Sequence, residues 1–247
     1  MGAGNGDLPQ TNLLDRIFPP QCLLCGALVQ SGGGLCGACW RDTPFILGVA
    51  CDQCGAPLIG EDPGIPIRCD DCRAVEHPWR KGRSVMVYDG GTRRLVLALK
   101  HGDRLDLVPA VSGWMAARAG PLLDADTLVV PVPVHWRRLL RRRYNQAAVL
   151  ALALAKRLGL PCVPDLLRRA RATPVQDGMG VEARYANLDG AIKVTDRYGR
   201  LLNGRSVLLV DDVMTSGATL SVCAEVCVRA GAAQVNVLTL ARVVRDT

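Results

Sequence analysis

From residue 82 onward, apolar and polar positions alternate in two periods. Short β-branched runs of four to six residues are separated by stretches in which apolar residues return every three or four positions. Ser84 to Tyr88 reads as a strand, followed by a Gly90-Gly91 turn and a helix capped by Thr92, with Leu95, Val96 and Leu99 on one face. A second helix is predicted over Asp106 to Arg118. Thr127 to Val134 opens as a continuous apolar run, the mark of a strand buried on both sides, until Pro131 and Pro133 end its pairing. Asn145 to Leu158 has helical spacing and stops at Gly159-Leu160-Pro161. Residues 160–190 are irregular and carry Arg168, Arg169, Arg171, Gln176 and Arg184. Ser206 to Val210 is a further buried strand, Gly217 to Arg229 a helix closed by Gly231, and Val235 to Leu240 a last strand.

Strands alternating with helices predict a parallel α/β sheet with helices on both faces. Ligands in such sheets bind outside the carboxyl ends of the strands. That places Pro131–Trp136 and Asp211–Thr219 on one rim.

The first 80 residues follow no such period. Eight of the eleven cysteines fall there as four Cys-x-x-Cys pairs: Cys22/Cys25, Cys36/Cys39, Cys51/Cys54 and Cys69/Cys72, with 10, 11 and 14 residues between pairs. A two-residue gap turns both sulfurs of a knuckle toward one tetrahedral ion, and Gly26 and Gly55 suit the positive φ such knuckles use. A disulfide framework needs an oxidising compartment, and no signal segment is visible at Met1 to Leu8. One redox pair is a common finding; four at ribbon spacing are not. The expectation is two structural zinc ions, paired in sequence order or cross-braced, with no open coordination position. Cys162, Cys223 and Cys227 are expected to be buried apolar thiols. Leu13 to Phe18 is expected to form a helical turn or two before Pro19-Pro20, and His77 to Gly82 the link between modules. The expected division is 1–78 and 79–247.

Composition sharpens this only a little. The longest apolar block, Ala147 to Ala155, is about half of the ~20 residues that span a bilayer, so a cytoplasmic location is expected. The formal net charge of +7 falls to about +3 once eight thiolates hold two zinc ions. Overall charge is therefore a weak argument for nucleic acid. The run Arg137-Arg138-Leu-Leu-Arg141-Arg142-Arg143 is a stronger local one, although such runs most often face solvent.

The stretch Val207-Leu-Leu-Val-Asp-Asp-Val-Met-Thr-Ser-Gly-Ala-Thr-Leu220 carries the chemistry. A buried strand that ends in Asp211 and Asp212, then turns through Thr215, Ser216 and Gly217 into a helix, sets hydroxyl and amide donors for an anion beside two carboxylates. Carboxylates repel phosphate unless they address another part of the ligand. Ribose hydroxyls and a magnesium ion are the natural partners, which points to a ribose 5-phosphate carrying further charge.

That string resembles the phosphoribosyl pyrophosphate (PRPP) motif of type I phosphoribosyltransferases. With the cysteines, Leu99-Lys-His-Gly-Asp103, Val130-Pro-Val-Pro133, Arg142-Arg-Tyr-Asn-Gln146 and Gln176 followed by Arg184-x-x-Asn187, the chain resembles the ComF family from about Leu13 to Arg242. The resemblance implies a double zinc ribbon joined to a type I phosphoribosyltransferase fold. It implies that Asp211 and Asp212 hold the ribose hydroxyls as the catalytic pair, and that Thr215, Ser216, Gly217, Ala218 and Thr219 hold the 5′-phosphate. The loop from Val132 to His135 would cradle pyrophosphate, with Lys100 and Arg138 or Arg142 neutralising it. Residues 168–187 resemble a loop that closes over the site and excludes water, and His135 is the nearest candidate general base. Three functions fit: a PRPP-dependent transferase, a PRPP sensor without turnover, or an accessory factor in DNA uptake that binds single-stranded DNA and a helicase partner. In the last, Trp136 and the arginine run would supply stacking and phosphate contacts. One departure stands out, since the family has Arg-Gly-Phe-Asn-Gln where this chain has Arg142-Arg143-Tyr144-Asn145-Gln146. Either a backbone with positive φ is strained at Arg143, or the added charge serves an anion contact.

Overall fold

The computed structural model describes residues 18–101, 104–134, 144–170 and 190–244. Four parallel strands form the main sheet: β1 (Lys81–Val87), β2 (Leu128–Pro131), β5 (Ser206–Met214) and β6 (Gln234–Arg242), in spatial order β1-β6-β5-β2. Helices α1 (Gly37–Arg41) and α2 (Asp70–Ala74) belong to the cysteine-rich part. Helices α3 (Gly90–His101), α4 (Val108–Ala119), α5 (Gln146–Leu158) and α6 (Ala218–Arg229) belong to the main domain, as does the small antiparallel pair β3 (Leu167–Arg169) and β4 (Ile192–Val194).

Alternation along β5 divides the core. Leu208 and Val210 join Leu238 and Leu240 in packing against α3, α4 and α5, while Val207 and Leu209 face α6 and the β3–β4 pair. Helix α5 lands on its face through Ala147, Leu150, Ala151, Leu154 and Ala155; Asn145 caps it by accepting from the Ala147 amide at 3.0 Å, and Gly159 ends it at φ 67°. Helix α6 buries Leu220, Cys223, Ala224 and Cys227, the same helical stripe.

Both sheet edges are covered, which removes two templates for strand addition. Pro44–Ile46 runs antiparallel to β1, with Ile46 N–H donating to Val85 O and Val87 N–H to Pro44 O, each at 2.9 Å. Residues 161–163 bridge β2 through Val129.

Several expectations shift. The helix expected to be capped at Thr92 begins at Gly90; Asp89 accepts from the Gly90 amide at 2.7 Å, and Thr92 lies buried inside the first turn. The irregular 160–190 region contains β3, too short to show a period. The supposed link His77 to Gly82 is no tether, since Trp79 is only 2% exposed and β1 already starts at Lys81. Strand β5 runs four residues past Val210 because β6 continues beside it: Asp211 pairs with Thr239, Val213 with Ala241 and Met214 with Arg242. Cys223 and Cys227 are buried as expected, whereas Cys162 is half-buried at the covered edge. The expected turns of helix over 13–18 fall almost wholly outside the described residues.

Candidate functional site

The cysteines converge in two groups, Cys22/Cys25/Cys36/Cys39 and Cys51/Cys54/Cys69/Cys72, with all sulfurs in a group within 4.8 Å of one another. This is the sequence-order pairing, and the cross-braced alternative falls away. No disulfide forms. Gly26 and Gly55 adopt φ of 75° and 73°, as the knuckles require. The shifts divide within the first group: amides of Cys36, Cys25 and Leu24 outweigh burial at Cys22 and bring its thiol down to about 6, whereas burial and the neighbouring thiols push Cys39 up to about 12. Chelation of the purified chain is therefore expected to release about two zinc ions and unfold the ribbons. A stoichiometry of one or none would mean that the two groups are not both zinc centres.

The second ribbon sits directly on β1. Gly82 N–H donates to Asp52 O at 2.8 Å, Ser84 Oγ to Cys54 O at 3.3 Å, and Arg83 Nη2 reaches Asp52 Oδ1 at 2.7 Å. Its core is continuous with the sheet face that carries α6.

At the carboxyl rim, pleating turns the two aspartates to opposite sides of the sheet. Asp212 meets Lys100 at the end of α3, Nζ to Oδ2 3.0 Å. Asp211 lies toward α6, and its Oδ1 accepts from the Asp212 amide at 2.9 Å. Burial, then the neighbouring Asp212 charge, push the Asp211 carboxyl up to about 8, against the pull of that amide and of Lys100. A raised acid of this kind stays protonated in the folded chain while the unfolded chain releases its proton near pH 4. Stability is therefore expected to fall as pH rises from about 4 to about 8, by at most ~1.4 kcal/mol per pH unit from this group. Subtracting the unfolding profile of Asp211→Asn from that of the wild type isolates the effect; a flat difference would mean that Asp211 titrates normally.

Beyond Met214 the chain turns through exposed Thr215 and half-buried Ser216 to Gly217, at φ 79°, and enters α6 at Ala218. Ser216 Oγ accepts from the Ala218 amide at 3.4 Å, while Thr219 stays partly exposed in the first helical turn. The turn thus follows the strand carrying the aspartates directly, with Thr215 and Ser216 in it and Thr219 in the first turn of α6.

The other expected residues divide. Lys100 is at the rim but holds Asp212. Val132 is there too, with both backbone groups engaged: its amide extends the ladder to Val210 O at 2.9 Å, and its carbonyl accepts from Asn145 Nδ2 at 3.1 Å. It offers no free amide. Tyr144 Oη donates to Leu99 O at 2.7 Å. Tyr144 and Asn145 thus join the ends of α3, β2 and α5. His101 is placed only as the last residue of α3. His135, Trp136, Arg137, Arg138, Arg141, Arg142 and Arg143 lie outside the described residues, as do Asp103, Arg171, Gln176, Arg184 and Asn187.

Three residues that the sequence reading left without a role also border the turn. His77 and Trp79 stack at 4.2 Å over Gly217, and buried Arg242 donates to Thr215 O. Two rings within a six-residue supposed linker, and an arginine closing an apolar strand, were the signals available.

Comparison with known proteins agrees with this organisation. The double zinc ribbon domain family matches residues 13–73 and the phosphoribosyl transferase domain family residues 144–247. The DNA utilization protein YhgH of Salmonella typhimurium is 32% identical over 91% of this chain and 97% of its own length. Competence protein F of Haemophilus influenzae is 28% identical over 92% and 99%, and competence protein ComFC of Bacillus subtilis 23% identical over 90% and 94%. Among solved structures, APRTase from Giardia lamblia complexed with 9-deazaadenine aligns with 60% of this chain and 72% of its own at 24% identity, with a TM-score of 0.39. With two cysteine ribbons seated on a parallel phosphoribosyltransferase-type sheet, and a relative 32% identical over nearly its whole length, the chain belongs to the ComF family.

Proposed function

We propose that this protein binds PRPP at the rim formed by β5, the 215–217 turn and the end of α3, and transfers its phosphoribosyl group to a nitrogen acceptor. One observation carries the reading: two rim carboxylates stand directly before a small-residue turn into α6, with Gly217 in the left-handed region. The amides and hydroxyls at 215–219 suit the 5′-phosphate, and the helix N-terminus favours its charge. Asp211 and Asp212 suit the ribose hydroxyls, and an ionised Asp211 would stabilise positive charge developing on the ribose as pyrophosphate departs. Lys100 holds Asp212 in place.

Asp212 already pairs with an ammonium, so these carboxylates do not form a protein cage for magnesium. They fit an ion that arrives mainly on the ligand's phosphates. Magnesium would supply charge neutralisation on the leaving pyrophosphate.

Titration of PRPP with magnesium into the zinc-loaded full chain tests the reading. Saturable one-to-one binding supports it, and product release with an added amine or base separates transfer from sensing. No binding would leave the motif as scaffold. A second reading rests on the relatives named for DNA utilization and competence, together with the Arg137–Arg143 run in the sequence. Single-stranded DNA binding that is steep in salt and insensitive to Asp211→Asn would favour it. No helix of the described residues is long and apolar enough to cross a membrane.

A further inference from the structure

The turn that would receive the 5′-phosphate is held from two sides by side chains with no part in ligand contact. On one side is Arg242, the last residue of β6 and 6% exposed. Its Nη1 donates to Thr215 O at 2.5 Å, reaches Met214 O at 3.5 Å and also contacts Val243 O. Its Nε is buried without a partner, and among the described residues no carboxylate pairs with this cation. The charge that faces it is on the second cysteine group, where the Arg242 cation favours the Cys54 thiolate, and a buried guanidinium needs such partners. Here it lies under a turn suited to anions.

On the other side, a Cβ at Gly217 would meet Trp79 Cη2 at 2.9 Å and His77 Cε1 at 3.3 Å. The two rings are stacked with 9° between their planes, and His77 Nδ1 lies 3.2 Å from Ser221 Oγ in the first turn of α6. Burial, then the Arg242 cation, push His77 down to about 4, so it adds no second charge at neutral pH. Trp79 Nε1 donates to Gln53 O at 2.6 Å, and Gln53 sits between the knuckle cysteines Cys51 and Cys54. Covalent and hydrogen-bonded links therefore run without a break from the Cys51/Cys54 knuckle of the second ribbon to the turn.

We propose that Arg242, His77 and Trp79 are positioning residues of the phosphate-binding turn, so that the second ribbon completes the PRPP site instead of standing apart from it. This rests on the PRPP reading above. Arg242 draws the carbonyls of Met214 and Thr215 inward, which leaves the following amides to face the ligand. The ring stack fits only because residue 217 has no side chain, and it fixes the angle at which α6 begins.

The test uses two probes on the zinc-loaded full chain: ribose 5-phosphate, which needs the turn, and inorganic pyrophosphate, which does not. Arg242→Met is expected to weaken ribose 5-phosphate by about tenfold or more, the scale of one charge-assisted hydrogen bond, and pyrophosphate by less than about twofold. Arg242→Lys should recover part of the loss, and Trp79→Phe and His77→Gln should show the same selective loss at smaller size. Equal affinities for both probes in all variants, or an equal fall for both, would overturn the proposal. Hydrogen exchange at the 216–220 amides gives a second readout independent of ligand: faster exchange in Trp79→Phe and His77→Gln is expected, and unchanged protection would overturn the proposal even if Arg242→Met does not fold. A wild type that binds neither PRPP nor ribose 5-phosphate would count against the PRPP reading, and the exchange measurement would still decide whether the stack holds the turn.

Discussion

Asp211→Asn/Asp212→Asn is expected to lose PRPP affinity by about tenfold to a hundredfold, because a hydroxyl bond to a charged carboxylate is worth ~1.5–3 kcal/mol, Asp212 loses that charge, and Asp211, protonated in the free chain, can no longer ionise on binding. The fold should survive. Asp211 is held above its ordinary range mainly by burial and by the Asp212 charge, so a neutral amide there replaces an acid that is already protonated in the free chain. Asn at 212 removes the partner of Lys100 and leaves that ammonium about one-fifth exposed without its counter-charge, a modest cost. Calorimetric titration beside thermal unfolding separates the two effects. Unchanged affinity in a folded double variant would sink the site assignment. The single variants add detail: Asp212→Asn frees Lys100 and should shift affinity for pyrophosphate as well as for ribose, whereas Asp211→Asn should act on ribose alone.

The second large effect concerns the seating of the ribbons. Gly26 and Gly55 are equivalent knuckle glycines with φ of 75° and 73°, so alanine pays a similar backbone penalty of ~1–2 kcal/mol at each. Their surroundings differ. A Cβ at Gly26 meets nothing within 4 Å, while one at Gly55 would stand 2.3 Å from Ser84 N and 2.7 Å from Arg83 C, both backbone atoms of β1. A strand backbone cannot yield as a flexible side chain can, so overpacking adds ~1–3 kcal/mol or more. Gly26→Ala should then lower the melting temperature of the zinc-loaded chain by a few degrees, and Gly55→Ala by about 10 °C. Equal losses would mean that the second knuckle is not pressed onto β1.

These two experiments probe features that were legible to different degrees. The zinc ligands were legible because two-residue cysteine gaps express tetrahedral geometry locally. The parallel sheet followed from apolar runs in β2, β5 and β6 alternating with the helical stripes of α4, α5 and α6. The PRPP string was legible because strand, carboxylates, turn and helix are consecutive, so the site's central piece is local in the chain.

What is non-local had no such trace. A strand's end depends on its neighbour, and β5 continues through Asp211 to Met214 only because β6 runs beside it to Arg242. The pairing of Lys100 with Asp212 joins residues 112 positions apart through the packing of α3 on the sheet, and it redirects a lysine expected on pyrophosphate. Thr92 had the chemistry of a cap, yet the contact of Gly91 N–H with Asp42 O, 2.7 Å, fixes the helix start earlier. Composition and spacing along the chain therefore determined the main strands and helices, which cysteines are ligand candidates and where the Thr215–Gly217 turn lies, while the grouping of the cysteines into two sets was decided by the tertiary structure. Tertiary packing alone decided that the second ribbon presses on β1, and that His77, Trp79 and Arg242 close around Gly217. Those contacts are set by steric fit and burial between distant segments, which no local pattern encodes.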